Sequence, residues 1–212
     1  MKNKQLEVFN QNPELIERLL VITDIQRGFI EKGMTLADPR IAHIIPGVIE
    51  LTKDFKNKED QLLFLLDTHT PNAAEFNRKV GFLPPHCIEG TDEALIMPEL
   101  APYAKNEWTL RKNTTMIYTL QLYRDALDKM RNLKEVVFVG DCSDICVIDG
   151  AIPTKKHFEQ QDRLVDVIVP TSLVDTFDIP GHNREEMNRM TKIFLNQAGI
   201  LTPEVYERKR VR

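Results

Sequence analysis

Short, unbroken apolar runs, each closed by a polar residue or a glycine, constrain this chain more than any other feature. Leu19-Leu-Val-Ile-Thr23 ends at Asp24, Leu62-Leu-Phe-Leu-Leu66 ends at Asp67, and Val136-Val-Phe-Val139 breaks at Gly140. Runs this short, with no polar residue at every second position, fit strands buried on both faces. Weaker strand signals fall at 109–111, which closes on Lys112, and at 164–169. Between the runs, residues 41–56, 118–132, 145–158 and 183–198 space their apolar side chains as helices do. Pro153 should kink the third of these helices or end it early. Strands alternating with helices specify an α/β fold: a single-domain, doubly wound, mostly parallel sheet with helices on both faces and right-handed crossovers. No Gly/Ser-rich linker or shift of composition divides the chain, so 1–212 is expected to be one domain. The stretch 76–101, with Pro84, Pro85 and Pro98, is the longest irregular segment. A loop of that length in a compact domain is usually functional.

Composition narrows the function. The 212 residues are 42% hydrophobic and 28% charged, which is ordinary for a globular protein. A net charge of −4 argues against a nucleic-acid surface. The basic run 208–212 reads as a solvated tail. Residues 1–13 are polar and carry no apolar signal core, and no apolar run reaches membrane-spanning length. Three cysteines, Cys87, Cys142 and Cys146, give no disulfide framework and suit a reducing cytosol. A cytoplasmic protein without nucleic-acid or membrane partners is therefore expected. Neither nucleotide-binding glycine fingerprint is present.

In a parallel sheet, ligands bind beyond the carboxyl ends of the strands. That edge gathers Asp24, Asp67, Lys112 and the turn Gly140–Cys146. One charged residue after a strand is commonly a cap; an anion, a cation and a thiol at one edge suggest chemistry. Cys146 should sit at a helix N-terminus, where free N–H groups and the helix dipole favour thiolate. Asp24 can serve as its base and Lys112 can hold both groups electrostatically. The backbone N–H groups of Cys142 and Cys146 can form an oxyanion hole. No His lies close in sequence to Cys146, and His157 is about three turns further along, which makes a Cys–His pair less attractive than Cys–Asp–Lys. Cys142 and Cys146 lack the usual redox spacing. A second cluster is Asp67-Thr-His69, with Glu75 and His86 beyond it. Carboxylate plus imidazole suits Zn²⁺, Fe²⁺ or Mn²⁺, although a hydrogen-bonded Asp–His pair without metal fits the pattern equally. His43, His157 and His182 stand in no motif and read as structural or solvated.

Taken together, these residues resemble the isochorismatase-like cysteine hydrolases, and within them the nicotinamidase branch. Asp24-Ile-Gln26 with Phe29 is similar to the first motif of that family. Lys112-Asn-Thr-Thr-Met-Ile-Tyr118 is similar to its lysine motif, and Gly140-Asp-Cys-Ser-Asp-Ile-Cys-Val147 to its nucleophile motif. Asp67-Thr-His69, Glu75-Phe76 and Pro84-Pro-His-Cys-Ile-Glu-Gly-Thr91 carry the resemblance to the metal-binding branch. The resemblance spans 19–198. It implies a cis peptide before Cys142, a catalytic set Asp24, Lys112 and Cys146, and one divalent ion on Asp67, His69, His86 and, in some members, Glu75. It implies amide hydrolysis through a thioester, with nicotinamide and NAD salvage in the nicotinamidase branch. Phe29, Leu83 and Tyr118 are the expected pocket wall. Leu83, beside Phe82, stands where the family often has Trp. Met116 and Tyr118 are bulkier than usual, Asp141 replaces an apolar residue, and Gly150-Ala151 stands where Thr-Ala is usual. The alternatives are another small amide, an N-carbamoyl or ureido compound, and a non-catalytic binding protein on the same fold. A small-molecule amide and assembly into a homo-oligomer are the expected associations.

Overall fold

The computed structural model describes residues 12–81, 83–104 and 107–208. Most of the polar N-terminal stretch, Phe82, and the basic run after Arg208 lie outside the described residues. Six strands form one sheet: β1 (Arg18–Thr23), β2 (Gln61–Asp67), β3 (Trp108–Lys112), β4 (Glu135–Asp141), β5 (Asp166–Ile168) and β6 (Val174–Asp175). Their order is β3-β2-β1-β4-β5, with β6 continuing beside β4, and every pairing is parallel.

Alternate residues of the apolar runs face opposite layers, which is why those runs lack a polar side. Leu19 and Val21 of β1, with Val136 and Phe138 of β4, pack under α4 (Gln121–Lys129), α5 (Ile148–Gln160) and α6 (Arg184–Gln197). Leu20 and Ile22, with Val137 and Val139, pack under the other layer, formed by α1 (Arg27–Ile30), α2 (Ile45–Asn57) and α3 (Ala101–Ala104). Fully burying a residue such as Phe138 stabilises the fold by about 1.5–3 kcal/mol.

The sequence-based elements are present with shifted ends. The helix expected at 41–56 opens with a 3₁₀ segment, Pro39–Ile44, which Asp38 caps through Arg40 N–H. The helix expected at 118–132 is likewise 3₁₀ at Ile117–Thr119 and α only from Gln121. Pro153 does not end α5, which continues to Gln160. Its ring removes one N–H, and the buried face of Gly150, Ala151, Thr154 and Phe158 carries the helix past it. The two-residue β6 has no periodicity to announce it. Arg208 is not solvated: its guanidinium pairs with Asp54 at 2.9 Å and lies 5.0 Å from the centre of the Phe55 ring. No helix among the described residues is long and apolar enough to cross a membrane.

The chain leaves β1 toward β2 and β3 on one side, and runs from β4 to β5 on the other. The winding therefore reverses between β1 and β4, and the region beyond their carboxyl ends is where a doubly wound sheet places its ligand. Gly140 makes this junction possible. Its φ is +115°, and a Cβ at that position would lie 2.0 Å from the Thr23 carbonyl oxygen.

Candidate active site

Beyond β1, β2, β3 and β4 the structure gathers Asp24, Asp67, Lys112 and Cys146. Asp24 takes a left-handed conformation (φ +50°), which turns its carboxylate back over the sheet edge. Its Oδ1 accepts the Asp67 N–H at 2.9 Å. Gln26 locks the same peptide from the side: Oε1 accepts Asp67 N–H at 2.7 Å and Nε2 donates to the Asp67 carbonyl at 2.9 Å. Lys112, fully buried at the end of β3, places Nζ 2.8 Å from Asp24 Oδ2, 3.0 Å from Asp67 Oδ1 and 3.5 Å from Cys146 Sγ.

Cys146 lies in a π-helical turn, Ser143–Val147, that leads into α5. The Asp141–Cys142 peptide is cis, as the resemblance implies. The Cys142 carbonyl accepts Ile145 N–H at 3.2 Å and Val147 N–H at 3.0 Å, which closes the turn. The expected thiolate is not the resting form. Burial pushes the Cys146 thiol up; Lys112 pulls it down, and the charges of Asp24 and Asp67 add to the rise. Burial likewise pushes Asp24 up to about 6, against the pull of Lys112. Burial alone would raise Asp67 too, but the Lys112 ammonium beside it holds it far below the usual carboxylate range. The resting site is thus a neutral thiol touching a carboxylate poised to take its proton.

The second cluster lies against the first and shares Asp67 with it. Asp67 Oδ2 is 3.0 Å from His69 Nε2 and 3.4 Å from His86 Nε2. Ligand atoms of all three residues lie within 4.8 Å of one another. The tautomers decide what this point accepts. The Thr70 N–H donates to Asn113 Oδ1 at 3.1 Å, which fixes that amide oxygen as an acceptor. His69 Nδ1, 3.2 Å from the same oxygen, therefore carries the hydrogen. His86 Nδ1 donates to the Pro84 carbonyl at 2.8 Å. Both neutral rings are left with bare Nε2 lone pairs aimed at a carboxylate oxygen, and three acceptors converging on one point call for a cation. A proton fills part of that need: burial would lower His69, but Asp67 outweighs it and raises the ring's affinity for a proton. Imidazoles oriented through Nδ1 also form a standard divalent-metal donor set. The residues fit such an ion.

Glu75 stands outside this group of ligand atoms. It is buried and forms an ion pair with Arg78 at 3.2 Å. Two aromatic rings border the cluster: Phe29, 5.6 Å from His86 between centroids, and Phe76, 4.9 Å from His69. Leu83 is half-buried beside Pro84. Tyr118 does not face the site. Its hydroxyl lies 3.1 Å from His157 Nδ1 and its ring packs on His157 and Arg124. His157 is eleven residues beyond Cys146, about 16 Å along the helix. The resemblance implied Tyr118 as pocket wall; in the structure it lies in the 3₁₀ turn Ile117–Thr119 and spends its hydroxyl on His157 instead. Cys87, beside His86, is a second thiol near the cluster. It donates to the Glu93 carbonyl at 3.4 Å, and burial with the Asp67 charge pushes it up. It lacks the lysine contact that Cys146 has. Sequence reasoning missed Asn113 and Phe76 as working parts of the site; an Asn directly after the strand-end lysine was the one available signal for the former.

The model of the isochorismatase domain family matches residues 18–196. Nicotinamidase 1 of Arabidopsis thaliana is 28% identical over 199 residues, covering 84% of this chain and 79% of that protein. Among solved structures, nicotinamidase/pyrazinamidase PncA from Bacillus subtilis superposes with a TM-score of 0.74 at 20% identity, covering 89% of this chain and all of the other. The pyrazinamidase of Pyrococcus horikoshii in complex with zinc gives 0.72 at 22% identity, covering 89% of this chain and 99% of the other.

Proposed function

The chain belongs to the isochorismatase family, and within it we propose that it is a cysteine amidohydrolase that converts nicotinamide to nicotinate and ammonia. The observation that carries this reading is Lys112 bridging a Cys–Asp pair to the Asp67–His69–His86 cluster, which places a nucleophile beside a site for a cation. The likeness to Nicotinamidase 1 supports the same substrate class. Asp67, His69 and His86 would hold a divalent ion (zinc, iron or manganese), which would supply a Lewis acid able to bind the ring nitrogen of a pyridine carboxamide.

The chain's own groups do the rest. Asp24 takes the thiol proton as Cys146 Sγ attacks the carboxamide carbon. The backbone N–H groups of Cys142 and Cys146 hold the tetrahedral oxyanion. Asp24 returns the proton to the departing nitrogen, the C–N bond breaks, and ammonia leaves a thioester. Asp24 then removes a proton from water as the water attacks the thioester, and nicotinate and the thiol are released. Lys112 stays charged throughout, because burial cannot overcome its two carboxylate neighbours. Phe29 and Phe76 offer apolar edges for a flat ring.

Ammonia release from nicotinamide, benzamide and an N-carbamoyl amino acid, each with metal-loaded protein, tests the reading. Nicotinamide should be turned over and benzamide, lacking the ring nitrogen, should not. Preference for the N-carbamoyl compound, or no nicotinamide turnover, overturns it.

A further inference from the structure

The nucleophile turn is held from outside by the segment that leads into α6. Ser143, fully buried, donates its hydroxyl to Asn188 Oδ1 on α6. Asn188 can present only that oxygen, because its Nδ2 donates to Asp175 Oδ1 at 2.8 Å. Asp175, at the end of β6, is itself pinned by Thr176 N–H at 2.9 Å and by the guanidinium of Arg184, whose Nε lies 2.8 Å from Oδ1. Next along the turn, Asp144 Oδ2 lies 2.8 Å from His182 Nε2. The other ring nitrogen of His182 lies 3.1 Å from the Phe177 carbonyl, and the ring stacks on Phe177 at 3.8 Å.

Ser143 and Asp144 are the first two residues after Cys142 and lie before Cys146, so they sit between the two peptides assigned to the oxyanion. We propose that Asn188 and His182 are positioning residues: by gripping Ser143 and Asp144 they set the spacing of the Cys142 and Cys146 amides. This inference rests on the hydrolytic reading above. Neither residue stands in a motif. What marks them is that a buried hydroxyl and a carboxylate of the turn find their partners only there among the described residues.

The test separates oxyanion binding from thiol reactivity. Asn188→Ala and Ser143→Ala should each lower kcat about 10- to 100-fold, the scale of a small misplacement of reacting groups, with KM unchanged. The double variant should be no worse than either alone, and Ser143→Thr, which keeps the hydroxyl, should restore kcat. His182→Ala should behave in the same direction. Pyridine-3-carbaldehyde, whose carbonyl takes up the thiol as a tetrahedral hemithioacetal, should lose affinity by the same factor as kcat. Alkylation of Cys146 by iodoacetamide develops no oxyanion and should proceed at the wild-type rate. Unchanged kcat, a rise in KM alone, multiplying penalties or an equal loss of alkylation overturns the inference. If the wild-type protein fails to hydrolyse nicotinamide, the hydrolytic reading falls instead. Capture of propionaldehyde, which needs no ring pocket, then decides the positioning role by the same comparison of variants.

Discussion

Asp24→Asn should abolish catalysis while removing a pH-dependent cost to folding. Asn tolerates the left-handed backbone at this position, and its amide oxygen can still accept the Asp67 N–H that Asp24 accepts at 2.9 Å. The base is lost, so turnover should fall by about 10²–10⁴. The stability argument runs through protons. Burial moves Asp24 from its ordinary 3.8 to about 6. Between those values the native state binds more protons than the unfolded chain, so wild-type stability falls as pH rises and stays lower above pH 6. The gap is worth about 3 kcal/mol. The variant lacks this slope. At every pH it carries a fixed cost, because its amide –NH₂ faces the Lys112 ammonium. Urea unfolding of chelator-treated wild type and variant at pH 4 and pH 7 should therefore show a difference that moves by about 2 kcal/mol in favour of the variant, most of the full gap. In the wild-type enzyme, kcat/KM should fall on the acid side at or below about pH 6, as Asp24 takes up a proton. Turnover in the variant within about tenfold of wild type, or parallel stability curves, would refute the reasoning.

Cys146→Ala should eliminate ammonia release, while Cys142→Ala and Cys87→Ala keep most of it; a dead Cys87→Ala with an active Cys146→Ala would move the nucleophile to the other thiol. His69→Ala and His86→Ala should purify without the single divalent ion that elemental analysis finds in the wild type, and Asn113→Ala should bind it about 10- to 100-fold more weakly in a calorimetric titration. Unaltered metal content would reduce these residues to a hydrogen-bond cluster. Lys112→Met leaves Asp24 and Asp67 buried without their cation and should cost about 3–5 kcal/mol in chemical denaturation; a loss under about 1 kcal/mol would show that the pair is not buried in solution. Burial holds Asp141 well above an ordinary carboxyl, so its native form keeps a proton that the unfolded chain gives up and stability drains away as pH rises. Asp141→Asn should accordingly raise the melting temperature more at pH 8 than at pH 5, and an equal shift at both would contradict this.

Much of the fold could be read along the chain, because a parallel sheet buried on both faces demands strands without a polar side. Leu19–Thr23 and Leu62–Leu66 met that demand openly; Val174–Asp175 is too short to do so. The residues at strand ends were legible for the same reason. Once the strands are parallel, Asp24, Asp67 and Lys112 must meet whatever their separation in sequence. What could not be read depends on rotation and long-range contact. Tyr118 follows Lys112 as the resemblance implies but spends its hydroxyl on His157. Asn188 and His182 reach the nucleophile turn from a segment about forty residues away in sequence, and nothing local marks them. The charge state of Cys146 was misjudged because a turn-end thiol suggests thiolate, whereas the outcome rests on burial and on two carboxylates brought in by other strands.

The shared position of Lys112 explains why so costly an arrangement holds together. Burying an isolated ammonium or carboxylate is prohibitive, and burying a pair is close to neutral only when geometry and hydrogen bonds are good. Here one cation serves two carboxylates, at 2.8 and 3.0 Å. The excess negative charge has two consequences at opposite ends of the cluster. At Asp24, which burial raises to about 6, the Asp67 charge adds to the rise, and at Cys146 burial and both carboxylates keep the proton on sulfur. At Asp67 it leaves a carboxylate oxygen facing two bare imidazole nitrogens, which is where a divalent cation would complete the balance. The nucleophile and the cation site are therefore two ends of one charge network, and a substitution at Asp67 should register at the thiol as well as at the metal.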